Sequence, residues 1–75
     1  MKRIVKGLLY DTDKATQIHI DPVSRSRLYV TPEGRFFTMY PNGEIVPKTE
    51  ENAKIYLGAR DVDMYIKLFG EVEEA

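Results

Sequence analysis

Arg27-Leu28-Tyr29-Val30-Thr31-Pro32-Glu33-Gly34-Arg35-Phe36-Phe37-Thr38-Met39-Tyr40 is the stretch whose reading decides the fold. Two runs of aromatic and β-branched residues flank Thr-Pro-Glu-Gly. Pro32 fixes φ at the first corner and Gly34 can take φ > 0, so the stretch predicts a β-hairpin closed by a type I turn and a glycine bulge. That turn pairs Thr31 with Arg35, Val30 with Phe36, Tyr29 with Phe37, Leu28 with Thr38 and Arg27 with Met39. Side chains alternate across a strand, which places Leu28, Val30, Phe36 and Tyr40 on one face. Tyr29, Phe37 and Met39 fall on the other, edged by Arg27 and Arg35. One face must be core. What covers the second is the main functional question.

Outward from the hairpin, Lys2 to Tyr10 reads as one strand and Asp11-Thr12-Asp13-Lys14 as a polar turn. Thr16 to Ile20 reads as a second strand, with Ile18 and Ile20 inward and Gln17 and His19 outward. Pro22 breaks it, since proline cannot donate to a ladder. After the hairpin, Asn42-Gly43 is a strong two-residue turn signal that would return Ile45 and Val46 beside Tyr40 and Met39. Thr49 is the expected N-cap of a first helix with Glu50 and Glu51 in its first turn, and Gly58 its expected stop. A second helix is expected from Asp61 to Gly70. In it Val62, Tyr65, Ile66 and Phe69 recur at i, i+3, i+4 and i+7 and predict the buried stripe. The expected fold is therefore a single α+β domain over residues 1–70. It comprises an antiparallel meander of four to five strands, then two short C-terminal helices packed on one face. Residues 71–75 form an acidic tail.

At 75 residues the core is thin. A chain this short buries only roughly 60% of the surface it exposes when unfolded, and its stability is expected near 4–11 kcal/mol. A partner or second copy would add a meaningful fraction, and Ile45-Val46 at a sheet edge makes a homodimer one candidate assembly. There is no cysteine, so disulfides and thiolate metal sites are excluded and a reducing setting is favoured. Lys6 interrupts the apolar residues after Lys2 and Arg3, and no apolar run has bilayer-spanning length; no leader or membrane segment is expected, and the cytoplasm is the expected location. Net charge is −1, which argues against a strongly basic nucleic-acid binder. Residues 1–40 carry seven Lys/Arg against four Asp/Glu, and residues 41–75 four against eight. The acidic half holds both helices.

Catalytic material is sparse. His19 is the only histidine; paired with Asp11, Asp13 or Asp21 it could act as a base, but a lone strand histidine is more often a surface residue. Asp11-x-Asp13 lacks the glycine and distal glutamate of a calcium loop, and Asp61-x-Asp63 reads better as helix capping. No phosphate loop, nucleophile elbow or zinc spacing occurs. The chain is expected to be no enzyme and to use no metal or cofactor.

Binding is the better-supported expectation. On the helical end, Tyr56, Asp61, Asp63, Met64 and Lys67 combine acidic charge with aromatic and methionine surface, a composition suited to a protein partner. The alternative is a single-stranded nucleic-acid face on which Tyr29 and Phe37 stack bases while Arg27 and Arg35 hold phosphates beside Met39. Against it, the two helices need a surface to bury and are expected to cover this face.

Three segments together resemble a known group. Gly7-Leu8-Leu9-Tyr10-Asp11-Thr12-Asp13-Lys14-Ala15-Thr16 resembles the Lys-x-Tyr-Asp-Thr-(Asp/Glu)-Thr-Ala opening of small uncharacterised proteins from phages, plasmids and conjugative elements of Gram-positive bacteria. Leu28 to Phe37 is similar to their Leu-Tyr-x-Thr-x-x-Gly-x-(Phe/Trp)-Phe hairpin, and Thr49-Glu50-Glu51-Asn52-Ala53 to the start of their C-terminal helix. This chain has short loops where those proteins carry Gly-rich insertions. The resemblance supplies no catalytic residue. It implies a mobile-element accessory protein in the size class of anti-CRISPR and other anti-defence inhibitors, acting on a host protein such as a nuclease or nucleoprotein complex.

Overall fold

The hairpin forms as its turn chemistry dictates. In the computed structural model, which describes residues 1–75, Thr31 N donates to Arg35 O at 2.8 Å and Gly34 N to Thr31 O at 2.9 Å, with Gly34 at φ 85°. The pairs run Arg27↔Met39, Leu28↔Thr38, Tyr29↔Phe37 and Val30↔Phe36. In chain order the elements are β1 (Lys2–Val5), β2 (Leu8–Asp11), β3 (Thr16–Ile20), β4 (Arg27–Val30), β5 (Phe36–Met39), β6 (Ile45–Lys48), α1 (Glu50–Arg60) and α2 (Val62–Phe69). An antiparallel sheet of order β3-β4-β5-β6 lies between a separate β1-β2 hairpin and the two helices. The fold is α+β, with the helices on one face of a four-stranded sheet.

The N-terminal segment departs from expectation. Lys2 to Tyr10 is not one strand of a five-stranded meander but two strands around a Lys6-Gly7 turn. Both turn residues have positive φ, 51° and 80°, the two-residue geometry that matches strand twist. Alternation of apolar residues continues on both sides of such a turn, so it mimics an unbroken strand. Val5↔Leu8, Ile4↔Leu9, Arg3↔Tyr10 and Lys2↔Asp11 pair across it. Folding back lets the hairpin cover Tyr29 and Phe37, the role expected of the helices.

Two cores result, one per sheet face. On the helical side Ile18, Leu28, Phe36, Ala53 and Leu57 are buried together, with Val30, Tyr56, Met64, Tyr65 and Phe69 packed around them. On the hairpin side Tyr10, Tyr29, Phe37 and Ile45 form the second cluster. Phe37 stacks on Tyr29 with ring centroids 5.1 Å apart and planes 8° from parallel, while Tyr10 meets it edge-on at 5.2 Å. Such geometry adds about 0.5–1.5 kcal/mol per pair beyond the area buried.

Other boundaries shift for local reasons. The β5–β6 connection places Pro41 at the first corner and keeps φ positive only at Gly43 (89°). Gly43 N bonds Tyr40 O and Tyr40 N bonds Glu44 O. Ile45 therefore faces Met39 and Val46 faces Thr38, one position from the pairing a two-residue Asn-Gly turn would give. β6 is an edge strand of the sheet, as expected, but its Ile45 side chain is buried under the hairpin, and Pro47 lies inside β6 opposite Phe37. In β3 a bulge between Gln17 and His19 sets two residues against one, so His19 turns toward the helices and Ile20 is 42% exposed. Helix α1 does not stop at Gly58; it runs to Arg60, and Asp61 closes α1 and caps α2. Val62 does not join the buried stripe. Met64, Tyr65 and Phe69 rest on the core from outside, and no α2 residue is fully buried. No helix is long and apolar enough to cross a membrane.

Phe37 has no exposed surface, so Phe37→Ala should lose about 3–5 kcal/mol, most or all of the stability if the chain sits near the low end of ~4–11 kcal/mol; chemical denaturation measures it. At Gly58 an added Cβ would sit 3.8 Å from the Tyr65 ring, an ordinary contact. Gly58→Ala should therefore stabilise by about 0.5–1 kcal/mol through helix propensity, read as a higher denaturation midpoint.

Candidate functional site

The residues expected to bind partners divide into an internal set and a surface set. Asp61 sits where α1 ends and α2 begins. Its Oδ1 accepts from Met64 N at 3.1 Å and its Oδ2 lies 3.1 Å from His19 Nδ1. The carboxylate only accepts, so His19 Nδ1–H donates. Tyr56 reaches Asp21 Oδ2 at a long 3.5 Å, meets His19 edge-on at 5.5 Å, and carries the Arg60 guanidinium 4.3 Å above its ring. Tyr56 and Asp61 thus tie the helical corner to the β3–β4 end of the sheet. Met64 packs on the core. Asp63 and Lys67 are exposed on α2 and form no ion pair.

The electrostatics of this corner follow from its bonds. The hydrogen bond from His19, then the Met64 amide, holds Asp61 below the usual carboxylate range. The Ser24 and Val23 amides hold Asp21 low in the same way. Burial, then the Asp21 charge, pushes the Tyr56 hydroxyl up. The arrangement orients an imidazole on a carboxylate, but the hydroxyls of Ser24 and Ser26 are bonded to each other at 2.8 Å. No three His, Cys, Asp or Glu side chains converge as a metal site would require. Sequence reading did not pair His19 with Asp61, because the β3 bulge that turns the ring inward has no residue signature.

The nucleic-acid platform does not form. Tyr29 is 7% exposed and Phe37 not at all, because the β1-β2 hairpin lies over both rings; neither can stack on a base. Arg27 and Arg35 stand at opposite ends of the β4-β5 hairpin. Arg27 and Met39 instead line an open cleft of about 390 Å³ with Arg25, Tyr40 and Pro41. A smaller cleft of about 270 Å³ lies between Leu9, Asp11 and Lys14 and the Thr31-Pro32-Glu33 turn. Comparison with protein-family models, curated proteins and solved structures finds no match.

Because Asp21 and Asp61 titrate lower in the folded chain than in the unfolded one (about 3.9), their contribution is present above that value. It is lost as pH falls through the folded values. Thermal stability should therefore drop below about pH 4. Asp61→Asn keeps a competent N-cap without the titrating charge, so its melting temperature should fall less steeply between about pH 4 and 2. An unchanged slope would show that Asp61 carries none of the acid sensitivity.

Proposed function

We propose that the chain is a non-enzymatic protein-binding module whose acidic helical end docks directly on a basic surface of a host protein. One observation carries this reading: α2 presents apolar and acidic surface together. Val62 is 56% and Leu68 37% exposed, beside Asp63 and Lys67. The adjoining tail adds Glu71, Glu73 and Glu74, all exposed and without ion pairs. Apolar anchors rimmed by unpaired charge suit a partner of opposite sign, where long-range attraction speeds encounter and desolvated side chains hold the complex. The resemblance of three segments to small proteins of Gram-positive phages, plasmids and conjugative elements narrows the partner. The chain is then an inhibitor of a host defence complex, anti-CRISPR-like in mode, that blocks a nuclease or nucleoprotein assembly by occupying it.

Asp63→Lys reverses a charge on an exposed position and should leave stability within about 0.5 kcal/mol. Tagged wild-type protein should retain a stoichiometric protein from host lysate, and the folded Asp63→Lys variant should lose it. Copurification of nucleic acid with no stoichiometric protein would overturn the reading, as would full capture by the variant.

A further inference from the structure

A second surface feature, a cleft, lies at the sheet end opposite the Thr31–Arg35 turn. Its floor comes from Met39, Tyr40 and Pro41 where the chain leaves β5, and its charged wall from Arg25 and Arg27. Both arginines are exposed, and neither has a carboxylate within salt-bridge distance. No acidic residue lines the cleft. Two arginines without an ion-pair partner therefore line one basin.

The loop that carries Arg25 is held in an unfavourable form. Asp21 Oδ1 accepts from Val23 N at 2.8 Å and from Ser24 N at 3.1 Å. Asp21 O accepts from Arg25 N, and Asp21 N donates to Ser26 O, both at 2.9 Å. These bonds fix Arg25 at φ 64°, left-handed backbone that glycine and asparagine adopt far more readily than a long side chain. Strain of this sort at a residue whose side chain borders a cleft points to use of that side chain.

We propose that this cleft binds a nucleoside monophosphate unit. A terminal phosphate carries about −1.5 to −2 charges near neutral pH, matching two guanidiniums that can each grip it through paired N–H donors. A lone carboxylate would leave one arginine unmatched. Beside the arginines, the half-exposed Tyr40 ring offers a stacking surface for a flat base, and Met39 and Pro41 supply apolar flanks. The cleft volume, about 390 Å³, falls in the ~300–1,000 Å³ range of small-molecule sites. The unit could be a free nucleotide or the 5′ end of a strand; the chemistry recognised is the same.

The test is a low-salt NMR titration of the full chain with adenosine 5′-monophosphate, adenosine, inorganic phosphate and a 5′-phosphorylated oligonucleotide. The monophosphate should bind saturably with shifts centred on Arg25, Arg27 and Tyr40, and adenosine and phosphate should each bind at least about tenfold more weakly. Tighter binding of the oligonucleotide than of the monophosphate would place the unit at a strand end, and equal or weaker binding would identify a free nucleotide; both support the site. Arg25→Asn decides the role of the strained residue. It should melt at or above the wild-type temperature, since asparagine tolerates φ > 0, yet bind at least about tenfold more weakly. No saturable binding of the monophosphate, phosphate alone binding as well, or wild-type affinity in Arg25→Asn would each overturn the proposal.

Discussion

Phe37 lies flat on Tyr29 and edge-on to Tyr10, with no part of its side chain exposed, while its neighbour Phe36 is buried in the opposite direction against α1 and α2. Adjacent residues of one strand point to opposite faces, so β5 is core on both sides. A chain of 75 residues has too little apolar surface for one deep core. Here it makes two shallow ones that share a wall. Without the β1-β2 hairpin, Tyr29 and Phe37 would be exposed; without the helices, Leu28 and Phe36 would be. The central hairpin is the constraint that every other element satisfies.

Double-sided burial also decides where function can reside. The aromatic residues of β4 and β5 are occupied with each other and with their covers, so both proposed surfaces lie at the periphery: the helical corner and surface of α2 on one side, and the loop ends around Arg25 and Tyr40 on the other. These regions carry opposite charge. Residues 1–40 hold an excess of basic groups and 41–75 an excess of acidic ones, and neither α2's Asp63 nor the cleft's Arg25 and Arg27 is neutralised within the chain. Each surface thus carries unpaired charge of one predominant sign, which gives each its own long-range field.

The central hairpin was legible to the residue because Thr-Pro-Glu-Gly admits one turn geometry, and the turn fixes the register. Thr49, Asp61 and Gly70 were legible for the same reason: capping chemistry is local. What escaped depended on context. Lys6-Gly7 reverses the chain, but lysine carries no turn signal and the alternation of apolar residues hides the break. Gly58 has ordinary helical neighbours in space, with Tyr65 against it, so a residue that often ends helices is carried through one. The bulge at Ile18 sends His19 inward to Asp61, and with that single extra residue the candidate site changes from a surface histidine to a tie between sheet and helices. Of the five helical residues expected to bind, sequence could supply the charges. Only packing could show that Tyr56, Asp61 and Met64 are engaged internally while Asp63 and Lys67 remain free.

Native-state hydrogen exchange, followed amide by amide under conditions where opening is at equilibrium, tests the shared wall most directly. The account predicts that the paired amides of β4 and β5 exchange last, at the free energy of global unfolding, with the β1-β2 hairpin and α2 opening earlier as separate units. If the slowest amides lie instead in the helices or the N-terminal hairpin, while those of β4 and β5 exchange through smaller openings, the central hairpin is not the element on which the structure depends.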